Sequence, residues 1–209
     1  MIQTQIDPAA AAELAALGRF AHERGWVPAT SGNFSRRLDA GHVAVTRSGV
    51  DKGALRPAED FIVVALHEPL PAGVSAETPL HVARYRRDPS IGAIAHVHSV
   101  AATVLSRADA ARGYVEVEGF EMQKALTGVT THEGTIRIPV FANDQDTQAL
   151  AERIETHYDD ASAGAPVPGY LLAGHGMYAW GATIDDARRH IEGLEFLLAC
   201  TLEERRLLR

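Results

Sequence analysis

The spacing of apolar residues changes repeatedly along the chain between the period of a helix and the period of a strand. Asp7 and Pro8 are typical of a helix start, and this first helix is expected to stop near Gly25. Thr183 followed by Asp186 predicts the capped start of a last helix. The predicted helices cover residues 8–24, 79–87, 100–107, 120–126, 143–158 and 183 onward, and the predicted strands cover residues 33–38, 42–46, 61–65, 92–98, 114–117, 137–140, 170–173 and 177–180.

Helices interleaved with short strands predict a layered domain of the α/β or α+β class. The chain has 209 residues, a length that suits one domain with a sizeable core, so residues 1–209 are expected to form a single unit. Residues 159–168 are rich in Ala, Gly, Pro and Asp, which is typical of a flexible surface loop.

The composition argues against several classes of partner. A formal net charge of −7 disfavours nucleic acids and anionic membranes, because a polyanion is bound by a basic surface, whereas a small phosphate needs only a few donors. No apolar run reaches the roughly 20 residues of a membrane helix, and the Ala-rich residues 9–16 lack the basic leader of a signal peptide. The single cysteine, Cys200, lies in an apolar helical pattern, which predicts a buried thiol and a reducing cytoplasm.

His96 and His98 stand two residues apart at the end of an apolar segment that is predicted to be a strand. Successive strand side chains alternate between faces, so both rings are expected on one side, about 7 Å apart along the strand. Two imidazoles at this separation can converge on one first-row metal ion. Alone, the pattern is equally typical of two half-exposed strand histidines.

His175 stands between two glycines after a predicted strand, where the backbone is free to bend. Alone this segment would be typical of a hairpin turn. Together with His96 and His98 it predicts an open tripod, the ligand set of a catalytic zinc ion with one position left for water or substrate. His81 and His132 are candidates for groups that support the ligands from behind. The other histidines are expected to be solvated: His22, His42, His67, His157 and His190.

Two carboxylates lie near these motifs in the sequence. Glu77 precedes the helix before the His96 strand, and Glu121 follows that strand. A metal-polarised carbonyl makes the adjacent C–H acidic, and a nearby carboxylate can then move protons. Spacing alone favours structural interpretations: a first-turn residue stabilised by the helix dipole for Glu77, and a surface ion pair with Lys124 for Glu121.

Two loops of small residues, 30–33 and 46–49, offer hydroxyls and backbone N–H groups beside glycines. Such concavities can bind phosphate without a large positive charge, although Ser, Gly and Asn also favour plain β-turns. Neither a Walker-type loop nor a Gly-x-Gly-x-x-Gly pattern occurs, so a nucleotide is not expected.

Taken in order, these segments resemble the class II aldolase family of zinc-dependent sugar-phosphate aldolases and epimerases. The family pattern is a Ser-Gly-Asn loop, a Thr-x-Ser-Gly-type loop, a Ser-x-Glu element, His-x-His and a late histidine, and all five occur between Ser31 and His175. The resemblance implies an α/β fold of three layers (α/β/α) with a largely antiparallel central sheet. It also implies one zinc ion per subunit on His96, His98 and His175, a homotetramer and a sugar-phosphate substrate. The phosphate would be held by Ser31, Gly32, Asn33, Ser48, Gly49 and Ser75.

Within the family, the segment Glu121-Met122-Gln123-Lys124 and the full loop of residues 46–53 are similar to those of a dehydratase branch. This similarity implies a lyase that removes water from a small sugar phosphate. The Glu77 position is a proton-transfer carboxylate in the aldolases, the Glu121 position looks like the acid/base in the dehydratases, and this chain keeps both. An aldolase or epimerase is one alternative. A binding module similar to the adducin head is another, although a scaffold has no need of three ligand histidines.

Overall fold

A central β-sheet organises the computed structural model, which describes residues 6–159 and 167–208. The strands are β1 (Asn33–Arg37), β2 (His42–Thr46), β3 (Phe61–Ala65), β4 (Ala93–Val97), β5 (Tyr114–Val117), β6 (Ile136–Phe141), β7 (Gly169–Leu172) and β8 (Gly176–Gly181). Over the described residues they form one eight-stranded sheet in the order β3-β2-β1-β4-β8-β7-β6-β5. All neighbouring strands in it are antiparallel except β6 and β7, which are parallel.

Helices cover both faces of this sheet. The α-helices within the described ranges are α1 (Pro8–Glu23), α2 (Thr78–Arg87), α3 (Val100–Ala108), α4 (Thr147–Asp159) and α5 (Ile184–Leu207), and the predicted helix 120–126 is a 3-10 helix over Glu121–Ala125. Buried side chains of α1, α3 and α5 share one apolar core with the sheet, and those of α2 and α4 share a second core with it. Successive strand residues supply the two cores alternately, as a sheet covered on both faces requires. The fold is therefore the three-layer α/β/α arrangement that the resemblance implies.

Side-chain caps set the helix starts. The Asp7 carboxylate accepts a hydrogen bond from the backbone N–H three residues later (3.2 Å) at the start of α1, and the Thr183 hydroxyl does the same at α5 (3.1 Å), as predicted. The predicted start of α4 at residue 143 is wrong. Asp146 is the capping residue instead (3.0 Å), so α4 begins at Thr147. Of the predicted loop 159–168, residues 160–166 lie outside the described residues.

Strand β4 shows how the fold selects the face that carries the predicted ligands. Ala95 and Val97 point into the core beneath α1, α3 and α5, whereas Ile94 points into the core beneath α2 and α4. His96 follows Ile94 by two residues and therefore lies on the α2/α4 face.

Two predictions about side-chain environment need correction. His190 was expected in solvent but is buried. The protein tolerates this polar ring in its interior because both ring nitrogens have partners: Nδ1–H donates to the Trp180 carbonyl (2.6 Å) and Nε2 accepts from the Thr127 backbone N–H (3.2 Å). Cys200 is partly exposed rather than buried. Among the described helices, none combines the length and the apolar character needed to cross a membrane.

Candidate metal centre

Four side chains from separate segments converge beside the end of β4. His96 lies in β4 and His98 follows it, while His175 occupies the turn between β7 and β8. Glu77 immediately precedes α2. One donor atom from each of the four lies within 4.8 Å of the others. The structure thus brings the three predicted ligands together with one of the two predicted carboxylates.

Backbone and amide oxygens orient the imidazoles from behind. His96 Nδ1 lies 3.0 Å from the Met177 carbonyl oxygen, so Nδ1 carries a proton and Nε2 is the ring atom that faces the cluster. His175 Nδ1 lies 3.2 Å from Asn143 Oδ1, which fixes its Nε2 in the same way. The Tyr178 ring stacks on His96 at a centroid distance of 4.0 Å and holds the ring plane.

Glu77 lies against these rings and is held from its other side. Its Oε1 is 3.0 Å from His175 Nε2 and 3.4 Å from His96 Nε2, and its Oε2 accepts a hydrogen bond from Asn33 Nδ2 (2.7 Å). Burial raises the pKa of Glu77, but the two histidines outweigh that effect and hold the pKa well below its usual range. Glu77 is therefore an ionised carboxylate that faces the histidines.

The position of His175 depends on a close backbone approach at the start of β8. A Cβ added to Gly176 would lie 2.3 Å from the Val97 carbonyl oxygen, so a larger residue would push the turn away from β4. The glycine after His175 therefore brings that histidine within reach of His96.

The donor set fits a divalent first-row metal ion. Three imidazole nitrogens with one carboxylate oxygen is a combination that zinc and its neighbours accept. The Nε2 atoms of His96 and His98 lie 2.8 Å apart, so both nitrogens face the same small space. Burial, followed by the neighbouring His96 and His175, lowers the pKa of His98 to about 3, so its ring is neutral at pH 7, as a metal ligand must be.

The cluster opens into a cleft of about 630 Å³. Ser48 and Ser75, two of the predicted phosphate-binding residues, line it together with Glu77, His98 and His175. The other four, Ser31, Gly32, Asn33 and Gly49, are not among the lining residues of the described chain. Asn33 is 5% exposed, and its amide is occupied by Glu77 and His81.

Glu121 is not brought into this cleft by its own chain. Its side chain is 67% exposed and pairs with Lys124 and with His132 (3.1 Å). Lys124, and then His132, lower the pKa of this carboxyl. In one isolated chain Glu121 therefore has the surface ion pair that its spacing predicts.

Several residues that shape the site have no signal in the linear sequence. Asn143, Met177 and Tyr178 act on the ligand histidines, but their partners lie far away along the chain. His81, a predicted supporting group, contacts Asn33 rather than a ligand histidine. His132, the other predicted supporting group, contacts Glu121.

Comparison with known proteins identifies the family. The chain matches the family model described as "Class II Aldolase and Adducin N-terminal domain" over residues 12–202. The chain belongs to the class II aldolase family. Curated relatives named methylthioribulose-1-phosphate dehydratase include one from Sorangium cellulosum, 54% identical over 197 residues (93% of this chain and 92% of the relative). Another, from Pectobacterium carotovorum, is 53% identical over 188 residues (88% and 89%).

Solved structures show the same fold. The L-fuculose-1-phosphate aldolase from Thermus thermophilus superimposes with a TM-score of 0.76 at 29% identity, and the match covers 97% of this chain and 98% of that one. A putative aldolase/epimerase/decarboxylase from Escherichia coli superimposes with a TM-score of 0.73 at 22% identity, covering 92% and 88%, which supports the fold alone.

Proposed function

We propose that the chain is a cytoplasmic, zinc-dependent methylthioribulose-1-phosphate dehydratase, a hydro-lyase of methionine salvage. The observation that carries this proposal is the cluster of Glu77, His96, His98 and His175 in an open cleft, in a chain about half identical to relatives of that name. The relatives match this chain over about nine-tenths of their length, so the comparison includes the whole site.

The proposed substrate is a ketose phosphate with its carbonyl at C2, hydroxyls at C3 and C4, and a methylthio group at C5. Water is eliminated across C3 and C4: the C3–H bond breaks, a C3=C4 double bond forms, and the C4 hydroxyl leaves with a proton. The enol then tautomerises to 5-methylthio-2,3-dioxopentyl phosphate.

Glu77 is the proposed acceptor of the C3 proton. It is ionised, and Asn33 holds its Oε2 while its Oε1 faces the histidines and the cleft. His96, His98 and His175 would hold a divalent ion, which when bound would supply Lewis-acid stabilisation, worth roughly several kcal/mol, of the charge that develops on the substrate oxygens. Replacing Glu77 by Gln should abolish turnover and leave stoichiometric zinc. If the variant lost its zinc, Glu77 would be identified as a fourth ligand of the ion.

Glu121 is the proposed acid that protonates the leaving C4 hydroxyl. Because its own chain leaves it in solvent, this role requires a neighbouring subunit to bring it to a cleft. The proposed homotetramer would do so, and exposed apolar side chains on α3 (Val100, 73% exposed) and α5 (Phe196, 51% exposed) support an interface between copies.

A matched pair of variants tests Glu121. Glu121→Gln removes the proton but keeps the size, and it should lower kcat by at least about 100-fold. Glu133→Gln, an equally conservative change at another exposed glutamate of the same region, should leave kcat unchanged. Mixing Glu121→Gln subunits with His96→Asn subunits should restore activity, because some clefts would then hold both intact residues. Near-wild-type turnover of Glu121→Gln with zinc retained would refute the assignment of Glu121 as the acid.

The substrate phosphate is proposed to bind in the Ser48 and Ser75 part of the cleft, where hydroxyls and backbone N–H groups lie beside a small-residue loop. Ser31, Gly32, Asn33 and Gly49 also belong to the proposed set, but they do not line the described cleft, and the Asn33 amide is bonded to Glu77 and His81. Replacing Ser75 by Ala should raise KM more than it lowers kcat, because a phosphate contact acts on bound substrate and transition state alike.

The decisive experiment is a product mass spectrum after the purified protein meets methylthioribulose 1-phosphate, with a chelator-treated control. Loss of one water that the chelator abolishes is the expected result. Dihydroxyacetone phosphate with methylthioacetaldehyde would instead identify an aldolase, the alternative favoured by the 29% identity to the Thermus enzyme. Unchanged substrate would refute the proposed activity.

A further inference from the structure

A buried chain of hydrogen bonds runs from Glu77 away from the cleft. Asn33 Nδ2 donates to Glu77 Oε2 (2.7 Å), and Asn33 Oδ1 lies 2.5 Å from His81 Nε2. His81 Nδ1 lies 2.7 Å from Ser35 Oγ, which in turn lies 3.0 Å from the Tyr85 hydroxyl. The chain joins β1 to α2, the two elements that flank Glu77.

The Asn33 side chain fixes the direction of every bond. Its NH₂ group faces Glu77 and its Oδ1, which can only accept, faces His81. His81 must then carry its proton on Nε2 and accept at Nδ1 from the Ser35 hydroxyl. Ser35 in turn accepts from Tyr85.

The members of this chain are shielded from water. Ser35 is 0%, Tyr85 1% and His81 2% exposed. A buried polar group that loses its partner finds no water to replace it, so each bond constrains the next. Tyr178, whose ring packs edge-on against His81 (5.6 Å), also stacks on His96, so the packing around His81 continues to the metal cluster.

We infer that His81 is a positioning residue. As the neutral Nε2–H tautomer it holds the Asn33 amide in the orientation that donates to Glu77 Oε2. Glu77 Oε1 is thereby directed at the histidines. The inference rests on the proposed function, in which Glu77 accepts a proton from the substrate. If the amide turned over, its oxygen would face the carboxylate and its NH₂ group would face the His81 N–H. Both contacts would be repulsive, and Glu77 would lose its anchor.

The tautomer is measurable in the wild-type protein without turnover. Long-range ¹H–¹⁵N spectra of histidine-labelled, zinc-loaded protein should show the Nε2–H form for His81 at pH 7. The Asn33 side-chain NH₂ should give one strongly downfield proton, as expected for a hydrogen bond to a carboxylate. An Nδ1–H tautomer would overturn the inference whether or not the protein is a dehydratase.

Two substitutions test the consequence for catalysis. His81→Phe removes the donor, and we expect kcat to fall about 10–100-fold, with KM within twofold and zinc content unchanged. His81→Gln can place an amide N–H near the former Nε2 and should recover most of the loss. Unchanged kcat in a folded His81→Phe protein would overturn the inference, as would equal loss in both variants.

Two more variants separate positioning from stability. His190→Gln alters another buried histidine that is bonded through both ring nitrogens, so it should lower the melting temperature without changing kcat. Ser35→Ala removes the donor to His81 Nδ1, together with the acceptor of the Tyr85 hydroxyl, and keeps the inference testable if His81→Phe does not fold. It should change the His81 tautomer population and lower kcat. An unchanged tautomer and kcat would contradict the chain as described.

Discussion

Replacing His96 by Asn should abolish the stabilisation of the folded protein by zinc. His96 is 0% exposed, and its Nε2 lies 2.8 Å from His98 Nε2 and 3.4 Å from the Glu77 carboxylate. An Asn side chain can still donate from its amide to the Met177 carbonyl, as His96 Nδ1 does, but it has no atom at the Nε2 position. The substitution therefore removes a ligand and keeps the hydrogen bond behind it.

The size of the effect follows from linkage between binding and folding. Zinc at 100 times its Kd stabilises a protein that binds it only when folded by about 2.7 kcal/mol. For a domain of about 200 residues, each kcal/mol raises the melting temperature by about 2–4 °C. The wild-type protein should therefore melt about 5–11 °C higher with zinc, and the His96→Asn variant should shift by less than about 1 °C at the same zinc concentration.

Circular dichroism melts of chelator-stripped protein, with and without added zinc, provide the assay. His190→Asn is the matched control because His190 is also buried (2% exposed) and also donates from Nδ1 to a backbone carbonyl. It should lower the melting temperature of the metal-free protein but keep the full increment on adding zinc. A full zinc increment in His96→Asn would mean that the ion binds elsewhere and would refute the proposed tripod.

Three further predictions concern the frame around the site. Gly32→Ala should lower the free energy of unfolding, measured by urea titration, by about 2 kcal/mol or more. The reason is that φ is +73° at this position and the new Cβ would lie 2.6 Å from the His96 carbonyl oxygen. A loss below about 0.5 kcal/mol would contradict this. Lys52 is 2% exposed and donates to two backbone carbonyls (2.7 and 2.9 Å). Lys52→Met should therefore lower the free energy of unfolding by about 1–3 kcal/mol. An unchanged melting temperature would show that these hydrogen bonds do not stabilise the fold. Burial lowers the pKa of His81 to about 3, whereas the unfolded chain binds this proton near pH 6.5. As the pH is lowered below 6.5, the free energy of unfolding should therefore decrease by up to about 1.4 kcal/mol per pH unit. His81→Gln should remove that share of the slope, and an unchanged slope would contradict a neutral His81.

Much of the fold could be predicted from local sequence patterns. Apolar spacing and capping residues such as Asp7 and Thr183 act over a few positions, so they locate helices and strands before any tertiary contact is known. The error at α4 has the same origin. Several polar residues precede that helix, and only the structure shows that Asp146 makes the capping bond. The three-layer arrangement itself was expected from the resemblance, because local periodicity does not determine strand order.

The sequence could suggest site residues whose side-chain type indicates metal chemistry, but it could not reveal partners that lie far away along the chain. The three histidines lie together in the structure, and Glu77, for which spacing alone favoured a structural interpretation, lies with them. The burial of His190 was missed because its ring bonds to Trp180 and Thr127, ten and sixty-three residues away, and nothing in its own helix distinguishes it from a solvated histidine. The attachment of Asn33 to a carboxylate rather than to the cleft was missed for the same reason.

Strand register connects the fold to the metal cluster. Asn33, His96 and Tyr178 are direct partners across β1, β4 and β8, so their side chains stand in one row on the α2/α4 face. A slip of β4 by one residue would move His96 into the apolar core beneath α1, α3 and α5 and place Ala95 or Val97 in the row. The apolar residues that alternate with His96 oppose that slip, because it would also move them out of their core. The core packing of β4 therefore positions the ligand, and the metal content of a β4 variant should report whether its register is intact.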